Sequence, residues 1–159
     1  MGALVSVLHI GVIDLPHPGG GKSELSTGDL AEILEGKYGL YSVFVDANLE
    51  KIEAQCADSL QDAMDNMLAG GPAPENPFAA AEQDIREDFV RFLDTSEMEK
   101  IGVRGTPTEA ALKGVNHRLK LNKGPRRPSF IDTGTLRAST AVWVGDENAT
   151  AVQAPEAAA

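Results

Sequence analysis

The sequence contains few of the side chains on which metal sites and nucleophilic catalysis depend. Its 159 residues include one cysteine and three histidines, and aromatic residues make up 5% of the chain. One cysteine excludes an internal disulfide, and Cys56 falls on the apolar face of a predicted helix, where a small buried side chain is expected. The three histidines, His9, His17 and His117, lie far apart without a partner at metal-ligand spacing. This pattern predicts neither a metal site nor a nucleophile–base pair.

Long apolar runs are also absent, and the charges are unevenly distributed. No run approaches the roughly 18 apolar residues needed to cross a bilayer. The net charge of −10 argues against nucleic-acid binding by the chain as a whole. Residues 104–137 nevertheless hold eight of the fourteen Lys and Arg residues and only two acids, a net of +6 that leaves −16 for the remainder. This split is typical of a chain that pairs with copies of itself or with acidic neighbours, and equally of a basic loop on a soluble protein.

Hydrophobic periodicity predicts an α+β fold, with residues 1–145 as a single domain. β-branched residues predict a strand over residues 3–15, and a second strand is expected at 140–144. A small sheet of these strands should be packed by three to four helices, near 28–35, 48–69, 78–93 and 107–121. A Gly/Pro-rich loop at 16–26 and an acidic, alanine-rich tail at 146–159 are expected to be disordered or ordered by a partner.

Two of these helices carry the clearest local signals. Helix 48–69 places apolar residues at three- and four-residue steps: Leu49, Ile52, Cys56, Leu60, Ala63, Met64 and Met67. Polar residues are expected on its other face: Glu50, Glu53, Asp58, Gln61, Asp62 and Asp65. In helix 107–121, Thr106 is expected as the N-cap, Pro107 as the first helical residue and Glu109 as the partner that completes a capping box.

Two short motifs are similar to catalytic or binding sequences, and each favours a structural interpretation. Residues 19–23, GGGKS, lack the first glycine of a phosphate-binding loop because Pro16 stands in its place, so a flexible loop is favoured. Residues 130–135, FIDTGT, resemble the aspartic-protease motif, of which one copy can work only in a homodimer. Helices precede the motif and few residues follow it, so we expect Asp132 to cap a turn.

The residues around Asp132 also resemble a known family. Residues 127–134, RPSFIDTG, are followed by LRAS at 136–139 and by the expected strand AVWV at 141–144. This series resembles the C-terminal signature of tailed-bacteriophage neck proteins, which belong to the broad group of head–tail joining and tail-completion proteins. Other parts of the chain fit the same resemblance, which extends to about Gly145: residues 9–14, 27–34, 105–107 and 115–119.

The resemblance implies a structural virion protein with no enzymatic activity and no cofactor or metal. Such a protein is made in the host bacterial cytoplasm and forms a homo-oligomeric ring in the neck, at the head–tail junction. Its partners would be further copies of itself and other neck, portal or connector and tail proteins. DNA would pass through the lumen without sequence-specific binding, and no membrane is involved. We expect five residues to form contacts between subunits: Arg118, Arg126, Arg127, Asp132 and Arg137.

Two alternatives remain open at this point. The first is a homodimeric aspartic peptidase in which Asp132 is catalytic. The second is a phage assembly factor that is absent from the finished particle. In the favoured interpretation, Asp132 caps the turn that follows it, and the arginines meet carboxylates on a neighbouring subunit.

Overall fold

The computed structural model describes residues 6–16, 25–115, 123–131 and 134–146. Two strands and six helices occur in these ranges, in the order β1 (Val7–Val12), α1 (Thr27–Tyr38), α2 (Leu40–Leu68), α3 (Ala79–Asp94), α4 (Glu97–Ile101), α5 (Glu109–Lys113), α6 (Thr135–Ser139) and β2 (Thr140–Gly145). The α+β prediction is confirmed, although the helices outnumber the three or four expected because three of them are only five residues long. The loop residues 17–24 and the tail residues 147–159 lie outside the described ranges.

The sheet consists of β1 and β2, as predicted, in an antiparallel pair whose register runs from Val7 opposite Gly145 to Val12 opposite Thr140. The outer edge of β2 is covered by α3. The Glu82 carboxylate accepts a hydrogen bond from the Val144 N–H at 2.9 Å, and the Arg86 Nε–H donates to the Thr140 carbonyl at 2.8 Å. Residues four apart on a helix share one face, so a single turn of α3 binds two points of the strand edge. In the described part of the chain, no strand pairs with the other edge of β1.

The core forms where α2 and α3 pack against each other beneath the sheet. Four of the chain's few aromatic residues meet there: Phe44 packs edge-on against Phe89 and Phe92, and Tyr41 stacks on Phe89 at 5.1 Å between ring centroids. Phe44 and Phe89 are fully buried, and burying a phenylalanine side chain contributes about 1.5–3 kcal/mol. Burial and, to a smaller extent, the nearby Glu35 carboxylate raise the pKa of Tyr41.

The first two helices extend beyond their predicted ends. Ser26 caps α1, with its hydroxyl accepting from the Asp29 N–H and the Asp29 carboxylate accepting from the Ser26 N–H. The helix passes Gly36 and ends at Tyr38, because Gly39 adopts a left-handed conformation with φ of 62°. α2 then begins at Leu40 and continues without a break for 29 residues.

Among the described residues, the helix predicted over residues 107–121 covers only Glu109–Lys113, and residues 116–121 lie outside the described ranges. The N-cap of α5 is Thr108, whose hydroxyl accepts from the Ala111 N–H at 3.2 Å. The Thr106 hydroxyl instead donates to the carbonyls of Met98 and Val103, so it is not free to cap a helix. α5 ends at Lys113, since Gly114 has φ of 60° and approaches the backbone of residue 124 too closely for any side chain.

Candidate assembly surface

The segment from Pro125 to Ile131, which we call the signature segment, is anchored to the rest of the fold by Ser129. The Ser129 hydroxyl donates to the Glu99 carboxylate at 2.9 Å and accepts from the Thr108 N–H at 3.1 Å. Ser129 is buried and the Glu99 side chain is only 9% exposed. One hydroxyl thus connects α4, the start of α5 and the signature segment, and holds all three in a fixed arrangement.

Two of the arginines expected to contact a neighbouring subunit pair with carboxylates of their own chain. Arg126 Nη2 lies 2.5 Å from Glu99 Oε2, and Arg137 Nη2 lies 2.8 Å from Asp94 Oδ2. Both arginine side chains remain about half exposed or more, at 62% and 47%. Because the arginine side of each pair is exposed, both guanidinium groups can still contact another molecule. A contact between subunits through Arg126 or Arg137 stays a prediction.

Arg127 is placed differently from the other two. Its guanidinium donates to the backbone carbonyls of Ile131 and Val115, the latter at 3.0 Å. The backbone N–H of Arg127 donates to the Ala111 carbonyl at 3.2 Å. These bonds fold the signature segment back onto α5, which gives Arg127 a role inside the subunit. The two other residues of the predicted set, Arg118 and Asp132, lie outside the described residues.

Five of the nine exposed large apolar side chains among the described residues lie on α2, where the sequence predicted an apolar face. Leu60, Met64 and Met67 are 41%, 55% and 50% exposed, and Leu49, about three turns before Leu60, is 48% exposed. At 100° per residue, these four side chains fall within an arc of about 60°. Of the apolar face, Ile52 is buried, and Cys56 and Ala63 are partly buried. Most of the predicted core face of α2 is therefore uncovered.

Three carboxylates lie within this arc or directly beside it, so that all seven side chains fall within about 100°. Asp46, Glu50 and Glu53 are exposed and form no hydrogen bond or ion pair with the described residues. Glu50 and Glu53 were expected on the polar face of the helix, but the 3.6-residue period places them beside Leu49 and Leu60. We name this surface the open face of α2 and define it by seven residues: Asp46, Leu49, Glu50, Glu53, Leu60, Met64 and Met67.

The open face continues into a groove between α2 and β1. The groove has a volume of about 490 Å3 and is lined mainly by apolar side chains: Leu8, Ile10, Tyr41, Ser42, Val45, Asp46, Leu49 and Ile52. Leu8 and Ile10 belong to β1, the strand whose outer edge is unpaired among the described residues. Groove and helix face together make a long, mostly apolar surface with carboxylates along it.

The described residues thus define an α+β protein with an anchored signature segment and an exposed apolar helix face. Within the described ranges, no group of three or more His, Cys, Asp or Glu residues could hold a metal ion, and none of the helices has the length and apolarity to cross a membrane. Comparisons of the chain with family models, with curated proteins and with solved structures found no match.

Sequence reasoning missed the two carboxylates that pair with the arginines, Glu99 and Asp94. Each lies about thirty to forty residues from its partner in the sequence, and local sequence patterns do not reveal contacts between residues so far apart. It also missed that the apolar face of α2 stays uncovered. The signal for that was present: residues 52–85 contain seven acids and no Lys or Arg, which is unusual for a helix and linker buried on several sides.

Proposed function

We propose that this protein is a structural component of a tailed-bacteriophage neck, where it forms a homo-oligomeric ring that joins the head to the tail. The open face of α2 is the observation that carries the proposal. Exposed apolar side chains that cluster on one side of a helix and are flanked by charges are typical of contacts with other proteins. The virion location rests on the resemblance of residues 127–144 to neck proteins.

The arrangement of the signature segment supports an architectural role. Ser129, Glu99 and Arg127 use their polar groups to hold segments of the same chain together. A catalytic site, in contrast, needs polar groups that are directed toward a substrate. The signature segment therefore holds the surface of the subunit in a fixed conformation. Residues on that surface contact the neighbouring proteins of the neck.

Particle analysis tests this function directly. Mass spectrometry of purified virions should detect the chain in several copies per particle, and an image of the particle should place its density at the head–tail junction. Absence from the finished virion would contradict the neck proposal and favour the assembly factor. The peptidase alternative is tested with Asp132→Asn: we expect no cleavage of peptides at acid pH by either the wild-type or the variant chain.

A further inference from the structure

We propose that the open face of α2 binds a basic face on a second copy of this chain, so that copies join head to tail. The inference deepens the proposed function and rests on it for the closed ring in the virion. The contact itself is a property of the purified chain and is measured without any other phage protein.

The basic face lies where the end of α1 meets the start of α5. One open cavity of about 560 Å3 is lined by Lys37, Tyr38, Arg104, Gly105, Thr108 and Glu109. The Lys113 ammonium lies 3.7 Å from the Glu109 carboxylate, and the Gly124 N–H donates to the Lys113 carbonyl at 3.1 Å, which brings Lys123 beside this cluster. Arg104 and Lys123 are exposed and pair with no carboxylate among the described residues.

The basic face also presents an apolar side chain to solvent. Leu112, on α5 next to Lys113, is 48% exposed. The basic face therefore combines an exposed leucine with four cations, whereas the open face of α2 combines Leu60, Met64 and Met67 with three carboxylates. Each face carries the apolar contact and the charge that complement the other, and such a match determines orientation and the rate of association.

A twofold contact between two open faces lacks this complementarity. The carboxylates of Asp46, Glu50 and Glu53 would be present on both sides, and the open face contains no cation to pair with them. Lys51, the nearest lysine, is bound to Asp88 on α3. A heterologous contact pairs the acids of one copy with the bases of the next, and repetition of that contact produces a ring when the rotation closes.

Two double variants with opposite changes test the contact. The first, Glu50→Lys with Glu53→Lys, makes the open face basic; the second, Arg104→Glu with Lys123→Glu, makes the basic face acidic. We expect each variant alone to associate at least about tenfold more weakly than the wild-type chain in sedimentation velocity over a concentration series. An equimolar mixture should recover association, because each reversed face meets a face of opposite charge on the other variant.

The matched control is Asp58→Lys with Asp65→Lys, the same change of charge on the opposite side of α2. This control should associate like the wild type, and far-UV circular dichroism should show all variants folded. A wild-type chain that stays monomeric throughout the series overturns the inference. So does normal association of Arg104→Glu with Lys123→Glu, which would indicate a twofold contact. Neither result changes whether the chain occurs in virions, so the two proposals fail independently.

Discussion

The two halves of α2 are parts of one unbroken helix, but the first half has a side buried in the core, whereas the second half is almost entirely exposed to solvent. In the first half, Leu40 and Phe44 are fully buried and Ile52 nearly so, against β1 and α3. Ser59 is the last buried residue of the helix, and beyond it Met64 and Leu68 are exposed, the latter to 83%. Helical periodicity determines which side chains share a face, but the partner that covers the face comes from elsewhere. For the buried side chains of the first half that partner lies in the same chain; for the open face, which begins in the first half and continues into the second, we propose that it lies in another copy.

Truncation of Phe44 should produce the largest loss of stability. Phe44→Ala removes a ring that contacts both Phe89 and Phe92 and leaves a cavity, so we expect the free energy of unfolding to fall by about 3–5 kcal/mol. Met67→Ala in the second half should cost about 0.5 kcal/mol or less. Urea unfolding of the two variants measures both values. Equal losses would contradict the contrast between the halves.

The next largest effect is expected at Asp88, which ties the middle of α2 to α3. Its carboxylate accepts hydrogen bonds from Lys51 Nζ at 2.6 Å, from Gln55 Nε2 at 2.9 Å and from Arg91 Nη1 at 3.0 Å. Burial alone would raise the pKa of Asp88, but the bonds from Lys51 and Gln55 and the two positive charges outweigh it and lower the pKa. Asp88→Asn should cost about 1–3 kcal/mol at neutral pH.

The cost of Asp88→Asn should depend on pH. Because the pKa of Asp88 is lower in the folded chain than in the unfolded one, its ionised form stabilises the fold above the unfolded value of about 3.9. This contribution is lost as the pH falls through the folded pKa. The difference between wild type and variant should therefore be constant near neutral pH and shrink below about pH 4. A difference that grows on acidification would show that Asp88 is not the group concerned.

Ser59→Ala tests the boundary between the halves and should have a smaller effect. The Ser59 hydroxyl is buried and donates to the Pro77 carbonyl at 2.8 Å, which attaches the linker before α3 to α2. Loss of this one bond should lower the free energy of unfolding by about 1 kcal/mol. Self-association should be unaffected, because Ser59 lies on the covered side of the helix. A variant that unfolds normally but associates differently would place the boundary elsewhere.

Met64→Glu should have the smallest effect on stability and a large effect on association. Since Met64 is 55% exposed, the free energy of unfolding should change by no more than about 0.5 kcal/mol. The added carboxylate lies within the open face of α2, so association of the chain should weaken about tenfold or more. Ala54→Glu, an exposed position outside the open face, serves as the control in the same sedimentation series and should associate normally.

The sheet was predictable from sequence because its signals are local. Val7, Ile10 and Val12 in one segment and Val142 and Val144 in the other are β-branched and flanked by Pro16 and Asp146, and a small domain offers them few other partners. The helix near 28–35 was also predicted from a local pattern, and it forms as α1 with Ser26 as its N-cap. Both predictions rest on patterns of residues that are close in the sequence.

The remaining features depend on contacts that the sequence does not report. Thr106 was expected to cap a helix, but its hydroxyl is bound to the backbone of residues 98 and 103, so the cap moved to Thr108. A tertiary hydrogen bond thus competed with the capping bond and replaced it. The same limit applies to Arg126, whose partner Glu99 is distant in sequence.

The side chains of Glu82 and Arg86 restrict how this sheet can grow. They occupy the outer edge of β2 on both sides of Val142, so within the described part of the chain only the edge of β1 is open to a strand of another molecule. If two copies paired through β1, both free edges would be consumed and no template would remain for a third. Fibres of stacked strands require two open edges on every subunit. Glu82 and Arg86 thus prevent open-ended growth of the sheet, whichever contacts the chain makes through its other surfaces.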